Sequence, residues 1–503
     1  MRVFSLLFSI LAFSLGAQNY QWAVSDTTYQ LSSGTSIAVD STGNIAVSQT
    51  LGDDKNIDVV KYDANQNVLW RKRIYSFLID YSDVAMDQQG NVYFSASFFT
   101  YVNIDGTQYN TPYSGCVRMV LVKFNAQGVV QWVKQSTGCD AGARALTVDF
   151  NSNVYVMGGV GPSGPVNFDS LSANPGLFVV KYNKNGVVQW VRSSVNGDGS
   201  SGDGPKIKAS KSGNIYIAGL LGGATAFGTH SVSTSGDFDV YIAKLDSAGN
   251  WLWAKRGGGI YEEWLYGLDV DDNDNAQITG YFHSPTATFG NTSITNTTVE
   301  DYFLAKYDSN GNELWAKGGA KMWQGNSFCV DAVGNSYMVS YGTFLRKHDF
   351  NGSYMWHTLK NIHNGRMVSD KKGSVYITGN LKVPATFGST TINPIKMQQM
   401  FVAKLYDPSP VVTKLSEMNK HSLIELYPNP AQDYFYIASD ATDKVLLRIT
   451  NPLGQLVHSE LVNTSERPAQ KINVAHLSKG LYIAEVFDSR SKEILQTKKL
   501  IVN

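Results

Sequence analysis

The chain has 503 residues, with 42 Lys+Arg set against 42 Asp+Glu, a formal net charge of zero and 43% hydrophobic residues. That length admits one large domain plus a small one, each able to bury a core. The charge balance argues against a general nucleic-acid or polyanion binder, which would carry a basic excess. The 27 Tyr, 10 Trp and 46 Gly suit an all-β chain with many turns.

The N-terminus reads as a signal peptide over residues 1–17. Arg2 supplies a charge, Val3 to Leu15 is apolar apart from serines, and Gly16-Ala17 precedes Gln18 as a small-residue cleavage site. No Cys sits there to take a lipid anchor. No later run reaches the ~18 continuous apolar residues of a transmembrane helix.

Residues 18–407 carry two alternating patterns. The first joins apolar-x-Val-Asp, two turn residues, Gly-Asn and an alternating apolar strand. It begins at Ile37, Val84, Leu146, Ile207, Leu268, Phe328 and Met367. The second joins an apolar run, Lys, an aromatic or Leu, Asp or Asn, a Gly turn and Trp. It begins at Val59, Leu121, Val179, Ile242, Leu304 and Leu345, and a seventh copy at Phe401 stops before its Trp. Each pattern predicts a β-hairpin, because period-2 strands flank a turn of Asp, Asn and Gly. Two hairpins form one four-stranded repeat, and stacked repeats bury the faces a single sheet would expose.

The missing Trp predicts how the array ends. The segment YQWAV, with Trp22, supplies a spare strand, so the Trp series becomes Trp22, Trp70, Trp132, Trp190, Trp253, Trp315 and Trp356. The expected fold is a seven-bladed β-propeller closed by that N-terminal strand, which removes the open edges. The motifs VD-x-x-GN-x-Y and KYD-x-x-G-x-x-x-W resemble the bacterial SBBP β-propeller repeat over about residues 20 to 406. That resemblance implies fold more than activity.

The repeated Lys (Lys61, Lys123, Lys181, Lys244, Lys306, Lys347, Lys404), turn Asp and Trp residues read as scaffold. Lysine stems cover apolar surface while their amines reach water or a turn carboxylate, turn carboxylates satisfy local N–H groups, and the Trp rings pack between repeats. Cys116 and Cys139 flank a hairpin whose turn centres near Ala126-Gln127. Cys116 would then face residue 137, which leaves a disulfide and two buried thiols both open. Cys329 lies in an apolar strand and reads as core.

Chemistry is sparse. The Asp308–Gly311–Trp315 spacing is too long at both steps for a sialidase Asp-box, and no zincin, nucleophile-elbow or P-loop motif occurs. No organic cofactor is implied. Ca²⁺ is a candidate at Asp271 and Asp274 (with Asp269 and Asp272 nearby) or at Asp198 and Asp203, where acidic loops offer oxygen ligands without EF-hand spacing. Connections between hairpins vary in length, and five repeats carry an insertion there. Loops on a rigid scaffold are where binding concentrates, so Tyr261, Glu262, Glu263, Trp264 and Trp323 form the candidate ligand site. Their rings and acids suit a carbohydrate, although rings of this size also serve simply to pack loops down.

Residues 408–424 are a polar, Pro-containing linker. Residues 425–503 predict strands at Tyr434–Ala438, Val445–Thr450, Gly454–Leu461, Ile472–Val474, Leu481–Phe487 and Lys499–Val502, a small β-sandwich. YPNP at Tyr427–Pro430, NPLGQLV at Asn451–Val457, LSKGLYIAEV at Leu477–Val486 and KKLIV at Lys498–Val502 resemble the type A sorting domain of the type IX secretion system of Bacteroidota. That resemblance implies export through the periplasm to the cell surface or medium, with the secretion machinery as partner. Taken together, the expectation is a secreted or cell-surface binding or adhesion protein with a glycan or surface protein as partner. An extracellular polysaccharide-active enzyme, a hydrolase or lyase working through acids such as Glu262 or Glu263, is the alternative. No residue set compels an enzyme.

Overall fold

The turn chemistry of the two patterns sets the local structure. In the first hairpin of repeat one, the Asp40 carboxylate accepts the backbone N–H groups of Thr42 (2.9 Å) and Asn44 (3.0 Å), and the Asn44 amide donates back to it (2.8 Å). Asp87, Asp149, Asp271 and Asp331 repeat this arrangement. Second hairpins use Asp63, Asp246 and Asp308, or the side-chain amide oxygens of Asn125 and Asn183. A short acceptor that satisfies turn N–H groups is the reason for Asp and Asn here.

The second-hairpin turn is also where neighbouring repeats meet. The Trp190 indole donates to the Ser247 carbonyl in the next repeat's turn (3.2 Å). Trp70, Trp132, Trp253 and Trp315 cap the following turn in the same way. Gly249 in the Trp190-capped turn has φ +86°, and a Cβ there would fall 2.8 Å from the indole. Gly249→Ala is therefore expected to destabilise the protein by about 2 kcal/mol, since a left-handed L-residue costs about 1–2 kcal/mol before the ring has to shift. Urea unfolding measures this, and an unchanged midpoint would refute the packing argument.

The repeated lysines reach hairpin turns as well. Lys61 Nζ donates to the Gly90 carbonyl (2.6 Å), Lys123 to Lys184 (2.8 Å) and Lys181 to Ser247 (2.7 Å), while Lys306 and Lys347 pair with Asp271 (2.9 Å) and Asp407 (2.7 Å). These lysines are buried rather than held in water, four of them against a turn of the next repeat and Lys306 against Asp271 of its own. A buried cation needs such acceptors.

The computed structural model describes residues 19–407 and 424–502, apart from 30, 53–55, 196–204, 320–324, 341–343, 360–361, 396, 428–430, 440–443, 452–454, 464–469 and 489–493. The expected signal peptide and residues 408–423 of the expected linker lie outside the described residues. Among those described, every element is a strand, and no helix is long and apolar enough to cross a membrane. The chain divides into Met1–Ser409 and Pro410–Asn503.

In the first unit, repeats three to six each contribute four antiparallel strands in hairpin order. Repeat three is Ala141–Val148, Val154–Val160, Gly176–Tyr182 and Val188–Ser193, and repeat five is Glu263–Val270, Ala276–Phe282, Asp301–Tyr307 and Glu313–Gly319. Repeats one and two share the strand Val68–Met86, which pairs first with Asn56–Tyr62 and then with Val92–Ile104. Tyr75 and Tyr81 lie on this continuous strand. Ile74 to Ser76 pair with the inserted segment of repeat two, and this extends the ladder across the junction.

The strands His363–Ser369, Ser374–Leu381 and Gln399–Tyr406 are joined by Asn19–Ser25, which pairs antiparallel with Gln399–Tyr406. Trp22 stands opposite Lys404, the register that Trp70, Trp190 and Trp253 take opposite Lys61, Lys181 and Lys244. First strands of successive repeats pack side by side, and His363–Ser369 packs on Ser32–Val39. Side chains bridge them: Ser36 donates to Asp83 (2.5 Å), Asp83 accepts the Leu146 N–H (2.8 Å), and Asp269 accepts the Val330 N–H (2.7 Å).

Cys116 and Cys139 form a disulfide with Cα atoms 5.1 Å apart. The expected register was two residues out. The turn runs from Asn125 to Val129, and a bulge follows between Lys123 and Phe124. Beyond it Lys123 faces Trp132 and Val120 faces Gln135, so continuing the ladder sets position 116 against 139. Cys329 is buried as a free thiol.

The second unit has two sheets. One is Ile424–Tyr427, Tyr434–Ser439 and Gln470–Asn473. The other runs in the order Leu456–Asn463, Lys444–Thr450, Gly480–Asp488 and Ile494–Val502. Phe435, Ile437, Val445, Leu447, Ile472, Ala484 and Leu500 form its core.

Candidate functional site

The first strands of the repeats enclose a cavity of about 830 Å³, within the range of small-ligand sites. A recurring irregularity aims side chains into it. The first strands of repeats one, three and five each carry a register shift that inserts one extra residue, Thr35, Arg144 and Tyr266 respectively. All three line the cavity. Bulges re-aim a side chain without breaking the sheet, so the scaffold stays constant while the presented group changes. Repeat two is more irregular, with its shift between Asp80 and Asp83 and Tyr81 at φ +50°.

The charged lining is mostly cationic, with Arg144, Lys206, Lys208 and Arg366 against Asp80 and Asp83. Asp83 is tied to Ser36 and the Leu146 N–H. Burial pushes the Asp80 carboxyl up, against the pull of the Arg144 guanidinium. That guanidinium lies 3.5 Å from the centroid of the Tyr81 ring, close enough for a cation–π contact. A neighbouring cavity of about 620 Å³ between repeats two and three shares Asp80, Tyr81, Phe99 and Arg144. At the turn end, Lys371 Nζ reaches Asp269 (3.1 Å) and the Val270 carbonyl (2.9 Å).

The residues singled out from sequence fall elsewhere. Tyr261 is exposed and Glu263 fully buried. Glu262 pairs with His283 (3.1 Å) and accepts the Trp264 indole N–H (3.0 Å). Trp264 stacks on Tyr281, with centroids 6.3 Å apart and planes at 12°. Glu263 accepts the Gly259 N–H (2.7 Å) and lies against the buried carboxylate of Asp239, itself paired with Arg256 (2.6 Å). None of these residues lines either cavity. Trp323, Asp198 and Asp203 lie outside the described residues. Asp271 faces Lys306 (2.9 Å) and its own turn, and Asp274 faces Lys244 (3.1 Å) and Ser212 (2.9 Å). Protein donors thus already occupy both carboxylates, and no cluster suited to a metal ion occurs among the described residues.

Comparison with known proteins finds several likenesses, of which three are as follows. An uncharacterized WD repeat-containing protein of Acanthamoeba polyphaga mimivirus is 25% identical over 447 residues, covering 67% of this chain, which spans about a third (32%) of that relative's length. The WD40 domain of Neurospora crassa Pan2 is 11% identical with a TM-score of 0.42, covering 76% of this chain and 94% of that one. The polysaccharide lyase Uly1 is 12% identical with a TM-score of 0.41, covering 79% and 94%. For the second unit, residues 425–503 match the family described as the secretion system C-terminal sorting domain.

Proposed function

We propose that this is a secreted or cell-surface binding or adhesion protein. It leaves the cell by a signal peptide and then a type IX machinery that engages residues 425–503. Its repeat unit is a seven-bladed propeller of SBBP type, closed by Asn19–Ser25. The side-by-side packing of first strands and the Trp22–Lys404 register support the closure.

One observation carries the binding reading. Among the described residues lining the large cavity there is no pair of open carboxylates, since Asp83 is bonded to its neighbours and Glu262 and Glu263 are not in the lining. Glycoside hydrolysis by paired acids needs two carboxyls about 5–10 Å apart across the substrate. The expected result on a glycan array, with the purified full chain and product analysis of each hit, is retention without turnover. Release of shortened or unsaturated sugars would overturn the reading.

A further inference from the structure

We infer that the central cavity takes an acidic saccharide, with Arg144 receiving its carboxylate or sulfate group. This rests on the binding reading above and names the ligand class. The chain is neutral overall, so a preference for anions must come from a local concentration of cations. The cavity provides one, with four cationic side chains lining it against two acids.

Arg144 is the centre of that field. It is the extra residue of a bulge, aimed inward, at the place where the two cavities meet. Its Nε and Nη1 are buried and have no hydrogen-bond acceptor. Donors left unmet in a buried site are costly, and a guanidinium fork matches the two oxygens of a carboxylate or sulfate. By contrast, Asp58 accepts hydrogen bonds from both Arg71 and Arg73.

The rest of the wall suits a sugar better than a bare ion. Tyr81 and Phe99 present aromatic surface at the shared edge, and Thr35 and Ser82 bring hydroxyl groups. Tyr81 holds its position in a left-handed conformation that a bulky residue adopts at a cost. The volume admits more than a single small anion.

Calorimetry on the full chain would use four probes: an oligogalacturonate, a sulfated disaccharide, a neutral oligosaccharide of equal length and inorganic sulfate. At least one acidic sugar should bind, at least tenfold more tightly than the neutral one or sulfate, and weaken as salt is raised. Arg144→Gln should reduce that affinity at least tenfold while leaving the thermal midpoint within a few degrees. Arg144→Lys, which keeps the charge and loses the fork, should fall between. Should Arg144→Gln fail to fold, Lys206→Gln gives the same readout from the neighbouring repeat. Equal binding of neutral and acidic sugars, binding of sulfate alone, or acidic binding indifferent to both variants would overturn the assignment. Array hits that persist under those outcomes would leave the binding reading standing. An array without hits would remove both.

Discussion

Deleting residues 18–25 is expected to abolish cooperative folding of the repeat unit. The strand Asn19–Ser25 supplies the fourth position of a sheet whose other members come from the far end of the unit. Its loss exposes the N–H and C=O groups along Gln399–Tyr406, an edge open to aggregation. It removes buried Tyr20, which packs edge-on against Phe387 at 5.3 Å, and Trp22, which lies 6.2 Å from Tyr376. A large buried aromatic contributes about 3–5 kcal/mol, so Tyr20, with half-buried Trp22 adding to it, approaches the 5–15 kcal/mol that usually holds a domain folded. The segment that follows also ties the ends of the unit together. Asp26 bonds to Gln49 (2.8 Å) and Arg71 (2.8 Å) of repeat one, and its N–H donates to the Met400 carbonyl of repeat seven (3.0 Å).

Thermal unfolding followed by far-UV circular dichroism, with size-exclusion chromatography, would measure this loss. The deleted chain should show no sharp transition and elute as aggregate. Moving the same strand to follow Tyr406 through a five-residue Asp-Gly turn should restore both, because it recreates the hairpin of the other repeats. A deleted chain that melts like the parent would show that the strand is an accessory.

Much of this architecture was legible because the signals are local. Asp40 and Asn44 sit four residues apart, and one turn needs both. Likewise Lys61 and Trp70 face each other across one hairpin, so their spacing recurs wherever the hairpin does. What escaped the sequence were one-residue shifts. The bulge beside Lys123 moved Cys116 opposite Cys139, and no residue type announces it. The same limit hid the cavity. Arg144 and Tyr266 read as ordinary alternating positions until an inserted residue turns them inward. Aromatic residues in loops stand out in sequence, whereas the cavity is lined by bulges on the first strands. A signal did exist: a single charged or aromatic residue interrupts the small-residue stretches GARA and LYGL just before the apolar strand. Glu262 and Glu263 look alike in sequence, yet neighbouring residues at the start of a strand point to opposite sides. One meets His283, and the other is buried beside Asp239.

That buried pair gives the second large prediction. Replacing Glu263 by Gln is expected to raise stability at pH 8 by about 3 kcal/mol and to leave it nearly unchanged at pH 5. Burial, with the neighbouring Asp239 carboxylate adding to it, pushes the Glu263 carboxyl up to about 7. Asp239 Oδ1 and Glu263 Oε1 are both buried acceptors lacking a donor, and a proton on Glu263 lets one donate to the other. A Cβ at Gly258 would fall 2.4 Å from both Asp239 and Glu263, so only glycine lets the backbone pass them. A carboxyl whose pKa rises on folding holds its proton more tightly in the native state. Its contribution to stability is therefore complete below the unfolded value near 4.5 and is lost as pH climbs to about 7. A shift of that size corresponds to about 3 kcal/mol. Glutamine is neutral at every pH, can accept from the Gly259 N–H with its carbonyl, and can donate to Asp239 with its amide. It imitates the protonated acid permanently. Urea unfolding of the parent and Glu263→Gln at pH 5, 6, 7 and 8 should give midpoints that start together and separate as pH rises. Parallel curves would mean that Glu263 carries its charge throughout, with Arg256 neutralising both carboxylates.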